Sequence, residues 1–277
     1  MFLTVGFYRP HVPCFAPQRV FDLMPLAGID LPVVNADDWD DLPEAAKTLT
    51  ANSTPPPHAW FVESGKWRDA VQAYLACVRF ADEQVGRLMT ALDASPHGKN
   101  TIVVLLSDHG FHLGEKQRWA KQSLWERSTR VPLVVSVPGG LRGAKCTRPV
   151  ELLSVYPTLV ELCGVERRTG LEGVSLVPLL KDPRSQWDRP ALTTYGQNNH
   201  AVRSERYRYI RYADGSQELY DHDNDPKEWK NLAGDAKYAK IMAQHARWLP
   251  TTNVPNAKAV GGGANKKKRN RRKNKTQ

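Results

Sequence analysis

The sequence predicts an α/β fold, a sheet flanked by helices, followed by a small antiparallel β-sheet with a helix. Three observations carry this prediction. Lys66 to Asp93 has a clear helical period, and after a Ser95-Pro96-His97-Gly98 break the aliphatic and β-branched run Thr101–Leu106 follows, the helix-to-strand half of a parallel unit. A second apolar run, Val131–Val137, is closed by Pro138-Gly139-Gly140 and leads to a helical spacing over Glu151–Cys163 that stops at Gly164. From about Ala191 the pattern becomes that of hairpins: Ala201–Tyr212 is rich in Tyr, Val and Arg, Ala213-Asp214-Gly215-Ser216 is a turn, and Glu218-Leu219-Tyr220-Asp221 begins another strand.

In chain order, Phe2–Phe7 reads as a short apolar strand, and Tyr8-Arg9-Pro10-His11-Val12-Pro13 as a loop in which two prolines restrict the backbone around His11. Residues 14–65, rich in Pro, Asp and small residues, predict a long surface excursion with short helical turns. In the helix that follows, Val71, Tyr74, Leu75, Val78, Val85, Leu88, Met89 and Leu92 form one stripe, expected to pack on the sheet. Asp223-Asn224-Asp225-Pro226 turns the chain toward a helix over Lys237–Trp248. The expected organisation is thus an α/β region over 1–190, a smaller subdomain over 191–255 and a disordered basic tail over 256–277.

Charge is concentrated rather than spread. Of the formal net +10, eight positive charges lie between Lys266 and Lys275, which leaves about +2 for the rest of the chain. The body therefore carries no signature of specific nucleic-acid binding, and the tail lacks interleaved aromatics. The four cysteines, Cys14, Cys77, Cys146 and Cys163, have neither metal-site nor disulfide-framework spacing. No apolar run approaches the roughly 20 residues needed to span a bilayer, and no signal-peptide pattern follows Met1. Compartment and oligomeric state are left open.

The strand Thr101–Leu106 runs without a gap into Ser107-Asp108-His109-Gly110, so a carboxylate and an imidazole stand at a strand end, where ligands and catalytic groups gather in α/β sheets. A strand-end Asp can instead cap a turn, and a nearby His can be a hydrogen-bonded core residue. The stretches Asn100–Val104, Ser107-Asp108-His109-Gly110, Leu113-Gly114-Glu115, Trp119-Ala120-Lys121, Ser123–Glu126 and Arg130–Leu133 together resemble the second half of a type I sulfatase of the alkaline-phosphatase-like superfamily. The similarity is closest to the iduronate-2-sulfatase-like branch, whose glycine-to-histidine loop Val5–Pro13 resembles. Glu218–Asp221, Asp225-Pro226, Glu228 and Asn231-Leu232-Ala233 resemble the sulfatase C-terminal subdomain.

The resemblance implies a sulfuric-ester hydrolase acting on sulfated sugars. It implies that Asp108 and, less strongly, His109 bind a divalent cation, usually Ca2+, because carboxylate oxygen suits a hard ion and imidazole suits it poorly. It implies that Lys121 contacts the sulfate, that His11 contacts it and protonates the leaving oxygen, and that His112 and Trp119 line either the cleft or the core. It also implies an α/β sheet that is incomplete at its N-terminal side, and relatives that are exported or lysosomal. The formylglycine of the family requires a Cys/Ser-x-Pro-x-Arg signature, and these 277 residues contain none. Cys14-Phe15-Ala16-Pro17-Gln18-Arg19 has one residue too many before its proline and follows the His11 loop, so no nucleophile is assigned. The expectation is a chain with little turnover alone. A phosphate-ester hydrolase of the same superfamily, or a polyanion-binding protein acting through its tail, are the competing readings.

Overall fold

The computed structural model describes residues 2–51 and 55–257. The basic tail expected to be disordered lies, from residue 258 on, outside the described residues. The long excursion contains helices α1 (Gln18–Asp22), α2 (Glu44–Ala51) and α3 (His58–Glu63), and leads to α4 (Trp67–Asp93). Then come β1 (Val103–Leu106), a tight β2 (His112–Leu113) and β3 (Trp119–Ala120) hairpin, α5 (Glu126–Thr129) and β4 (Leu133–Ser136). Helices α6 (Val155–Leu162) and α7 (Val177–Lys181) precede β5 (Ala191–Thr194), β6 (His200–Arg203), β7 (Tyr207–Arg211), β8 (Gln217–Asp221) and α8 (Ala239–Ala246).

The C-terminal meander is antiparallel, in the order β5-β6-β7-β8, with Val202 opposite Tyr209 and Tyr209 opposite Leu219. Its two faces feed two cores. Val202, Tyr209 and Leu219 pack with Leu249 and the α8 residues Ile241 and Met242. Ala201, Ile210 and Tyr220 pack with Leu124 and Trp125 after the β2–β3 hairpin and with Leu42 and Ala46 from the excursion. Because both faces are covered, a sheet of short strands buries Tyr, Ile and Leu side chains completely, at about 1.5–3 kcal/mol for each large apolar group.

Three expectations change. Phe2–Phe7 is not a strand: Phe2, Leu3, Val5 and Phe7 are exposed, because no described strand offers this segment a hydrogen-bonding neighbour. β1 does not take part in a parallel unit among the described residues; it pairs antiparallel with β4, Val103 opposite Ser136 and Leu106 opposite Leu133. Its burial is also partial, with Leu105 at 41% and Val134 at 56% exposure. Third, α4 packs on α1, α3, the turn Leu26–Gly28 and the β2–β3 hairpin, where Val71 shares a core with Trp119, and β1 and β4 are not among its main partners. Val71, Ala76 and Cys77 are buried, while Val78 and Leu88 on the predicted stripe face outward.

Candidate active site

β1 delivers Asp108 and His109, and Gly110 locks the turn that follows. The Gly110 amide donates to the Ser128 carbonyl at 2.8 Å, and a β-carbon at Gly110 would overlap the Arg127 carbonyl oxygen. Only glycine therefore lets the strand end close onto α5. The Asp108 carboxylate is 84% exposed and accepts from the His109 amide at 3.1 Å. The His109 Nδ1 donates to the Gly110 carbonyl at 2.8 Å, and Nε2 lies 3.6 Å from Asp108 Oδ2. The carboxylate is open to solvent and the imidazole beside it is one-third exposed, at 33%.

Lys121 sits in a loop held in costly geometry. Ala120 at φ 74° and Gln122 at φ 40° flank it, and Lys116 and Gln117 are also left-handed, at 58° and 49°. Each such non-glycine residue costs roughly 1–2 kcal/mol, so the loop persists only because its surroundings over-determine it. The Arg118 guanidinium donates to the Thr50 carbonyl and, at 3.1 Å, to that of Gln122; Ser128 Oγ donates to the Lys121 carbonyl at 3.0 Å. The Trp39 indole donates to the Lys116 carbonyl at 2.6 Å. All of these grip the backbone, and the Lys121 ammonium has no ion-pair partner among the described residues. Asp108, His109 and Lys121 line one wide cleft of about 2770 Å³.

The other anticipated residues stand elsewhere. His11 is exposed, with Nδ1 2.7 Å from the Val12 carbonyl, and does not line this cleft. His112 belongs to the interior: it is fully buried, its Nδ1 lies 3.0 Å from the Glu115 carbonyl and its Nε2 3.1 Å from Ser123 Oγ. Burial and then the Arg118 charge push its pKa down to about 3, so it is a neutral brace for the loop rather than a cleft residue. Trp119 is likewise buried, its indole 3.2 Å from His58 Nδ1.

Sequence reasoning missed a charged network beside the cleft. Glu126, His222 and Glu228 offer three ligand atoms within 4.8 Å of one another, a cluster able in composition to coordinate a divalent ion. Its groups are, however, already occupied. Arg208 binds Glu126 and, at 2.6 Å, Glu228; Arg203 Nη2 lies 3.1 Å from His222 Nδ1, and His222 Nε2 lies 2.9 Å from Glu228 Oε1. Burial alone would raise the Glu228 carboxyl, but Arg208 and His222 outweigh it and hold it at about 2. A metal here would have to displace two guanidinium groups. Asp108 and His109 are open by comparison, with 84% and 33% of their side chains exposed and no Lys or Arg partner among the described residues.

Comparison with known proteins fits this geometry. The pattern of the family described as "Sulfatase" matches residues 1–165, and that of "N-sulphoglucosamine sulphohydrolase, C-terminal" matches residues 114–253. The chain belongs to the sulfatase family. A protein of Formosa agariphila named "Sulfatase" is 46% identical over 253 residues, covering 91% of this chain and 50% of that one. A "Delta 4,5-hexuronate-2-O-sulfatase" of Bacteroides thetaiotaomicron is 30% identical, covering 78% and 47%. A phosphonate monoester hydrolase from Silicibacter pomeroyi superposes with a TM-score of 0.75 at 24% identity over 86% of this chain and 53% of that one, a likeness of fold. This chain spans about half the length of these curated sulfatases.

Proposed function

We propose that this chain supplies the cation- and sulfate-facing wall of a sulfuric-ester hydrolase acting on sulfated sugars, of the iduronate-2-sulfatase-like kind. In this reading residues 1–190 are part of the catalytic α/β region and 191–255 the smaller subdomain. The supporting observation is the contrast within one cleft: Asp108 has no Lys or Arg partner and Lys121 no Asp or Glu partner among the described residues, while Arg208 in the same cleft is neutralised by Glu126 and Glu228.

The chemistry follows from charge. Transfer of a sulfuryl group builds negative charge on non-bridging oxygens and on the leaving oxygen, and fixed cations in a partly water-excluded wall offset it without reorganising. Lys121, held through its backbone by Arg118 and Ser128, would meet a non-bridging oxygen. Asp108 and His109 Nε2 would hold the divalent cation, Ca2+ by the preference of carboxylate oxygen, which would supply Lewis-acid stabilisation of the ester oxygens. His11, on its own loop, is proposed as the proton donor to the leaving group. The residues do not fit the family's formylglycine: the Cys/Ser-x-Pro-x-Arg signature is absent from the 277 residues, and no nucleophilic step is assigned to this chain.

Calorimetric titration with Ca2+ and with an aryl sulfate, run beside the corresponding phosphate monoester, tests the reading. Binding of the sulfate should weaken about tenfold or more in Lys121→Ala, and Ca2+ binding should be lost in Asp108→Ala. Turnover by this polypeptide should be negligible. Strong hydrolysis that disappears in Lys121→Ala would refute the reading that these residues hold only part of the site, and preference for the phosphate ester would replace the sulfate reading.

A further inference from the structure

Two of the four cysteines meet in space. Cys14 and Cys77 stand 63 residues apart in the chain, a separation that carries no motif. The fold nevertheless sets the Cys14 thiol, half-buried just after the His11 loop, against the buried Cys77 thiol of α4 as a hydrogen-bond partner. Tyr74, one turn before Cys77 on the same side of α4, also feels the charge of Cys14. Cys14 therefore lies over the Tyr74–Cys77 ridge of the helix. The neighbourhood is fixed from both sides. Arg19 of α1 meets Glu83 of α4 at 2.7 Å, and the Gln72 amide of α4 donates to the Met24 carbonyl at 2.6 Å. Arg9 ties the loop together, its guanidinium donating to the Phe15 carbonyl at 2.7 Å and to the His11 carbonyl at 3.0 Å.

The two sulfurs differ in a way that suits stepwise chemistry. Cys77 is rigid on its helix, whereas Cys14 lies outside any helix or strand, so its backbone can make the small adjustment that an S–S bond demands. Burial raises the Cys14 thiol and lifts that of Cys77 to about 11, while the Arg9 guanidinium lowers both. Cys14, the more accessible sulfur, is the one a small disulfide reaches first. Its thiolate attacks one sulfur of oxidised glutathione, which forms a mixed disulfide and expels one glutathione thiolate. The Cys77 thiolate then attacks the Cys14 sulfur and expels the second. The protein gives up two electrons and two protons, and one glutathione disulfide becomes two glutathione thiols.

We propose that Cys14 and Cys77 form a disulfide by exchange with a low-molecular-weight disulfide, and that this bond latches the His11 loop onto α4. The bond stands apart from the sulfatase reading, which enters only in the role given to His11. Full-length chain carrying Cys146→Ser and Cys163→Ser, both exposed positions, retains the facing pair alone. It is incubated with oxidised glutathione at pH 8, digested with trypsin without reductant and read by mass spectrometry. The N-terminal peptide ending at Arg19 should be joined to the peptide 69–79, and the intact chain should be lighter by two hydrogen atoms. The oxidised chain should melt about 5 °C or more above its reduced form, because the bond closes a long loop of the unfolded chain. That difference should vanish in Cys77→Ala and, independently, in Cys14→Ser at the half-buried position. Both thiols still free after exposure, a lasting glutathione adduct on Cys14 with Cys77 free, or linkage with no rise in melting temperature overturns the latch.

Discussion

Two sets of charges lie within one molecule and are treated in opposite ways. Around Arg208 and Lys116 the charges are withdrawn from solvent and set in pairs: Lys116 meets Asp38 at 2.8 Å, with 2% and 0% of their side chains exposed, and its ammonium also reaches the Glu228 carbonyl and the rings of Trp125 and Tyr220. At Asp108 and Lys121 the charges are left in the open, while the effort goes into fixing the backbone that carries them. Buried pairs organise the fold, because withdrawing one partner leaves the other desolvated and alone. Lys121, on the strained loop, has no Asp or Glu partner among the described residues, and Asp108, beyond β1, no Lys or Arg partner, which leaves both available to a ligand.

The sharpest way to break this contrast is Arg208→Ala, which abandons Glu126 and Glu228 together. Its cost should be about 3–5 kcal/mol, read from the urea midpoint, and a loss below about 1 kcal/mol would show that the network is not structural. Gly110→Ala should follow at about 1–3 kcal/mol, since the new methyl meets the Arg127 carbonyl, and it should also disturb Ca2+ binding at the adjacent Asp108.

The pH dependence of stability separates two buried groups of opposite sign. His112, held at about 3, binds fewer protons folded than unfolded, so its contribution is present above about pH 6.5 and is lost as pH falls toward 3, at up to about 1.4 kcal/mol per pH unit. Asp38, whose burial outweighs Lys116 and raises its carboxyl to about 6, acts the other way: its contribution declines as pH rises from about 4 to 6. His112→Gln should therefore remove a rising component from the stability curve over pH 4–6, and Asp38→Asn a falling one. Smallest of all, Lys121→Ala should shift stability by no more than about 0.5 kcal/mol while it weakens sulfate binding.

What could be read from the sequence follows the range over which each feature acts. The helix Trp67–Asp93 and the strands from Ala191 to Asp221 announce themselves through local periodicity, and Asp108-His109-Gly110 through its place at the end of an apolar run. Lys116 looks like an ordinary solvated lysine, because its partner Asp38 is 78 residues away and nothing near it in the chain forecasts burial. The same holds for Glu126, which finds Arg208 82 residues later. Phe2–Phe7 has the composition of a strand, but a strand exists only when a neighbour accepts its hydrogen bonds. His112 and His109, three residues apart, differ in fate because one follows the glycine turn inward and the other precedes it.

The partly bare sheet has a practical consequence. Among the described residues β1 is bonded along one edge only, and Leu105, Leu106 and Val134 face outward beside it. An open edge with leucine and valine side chains is a template for any other extended apolar segment, including a second molecule. Concentration thus becomes a variable of every measurement on this chain: at high loading, self-association through β1 and β4 would compete with the monomer, and light scattering against dilution belongs beside each titration.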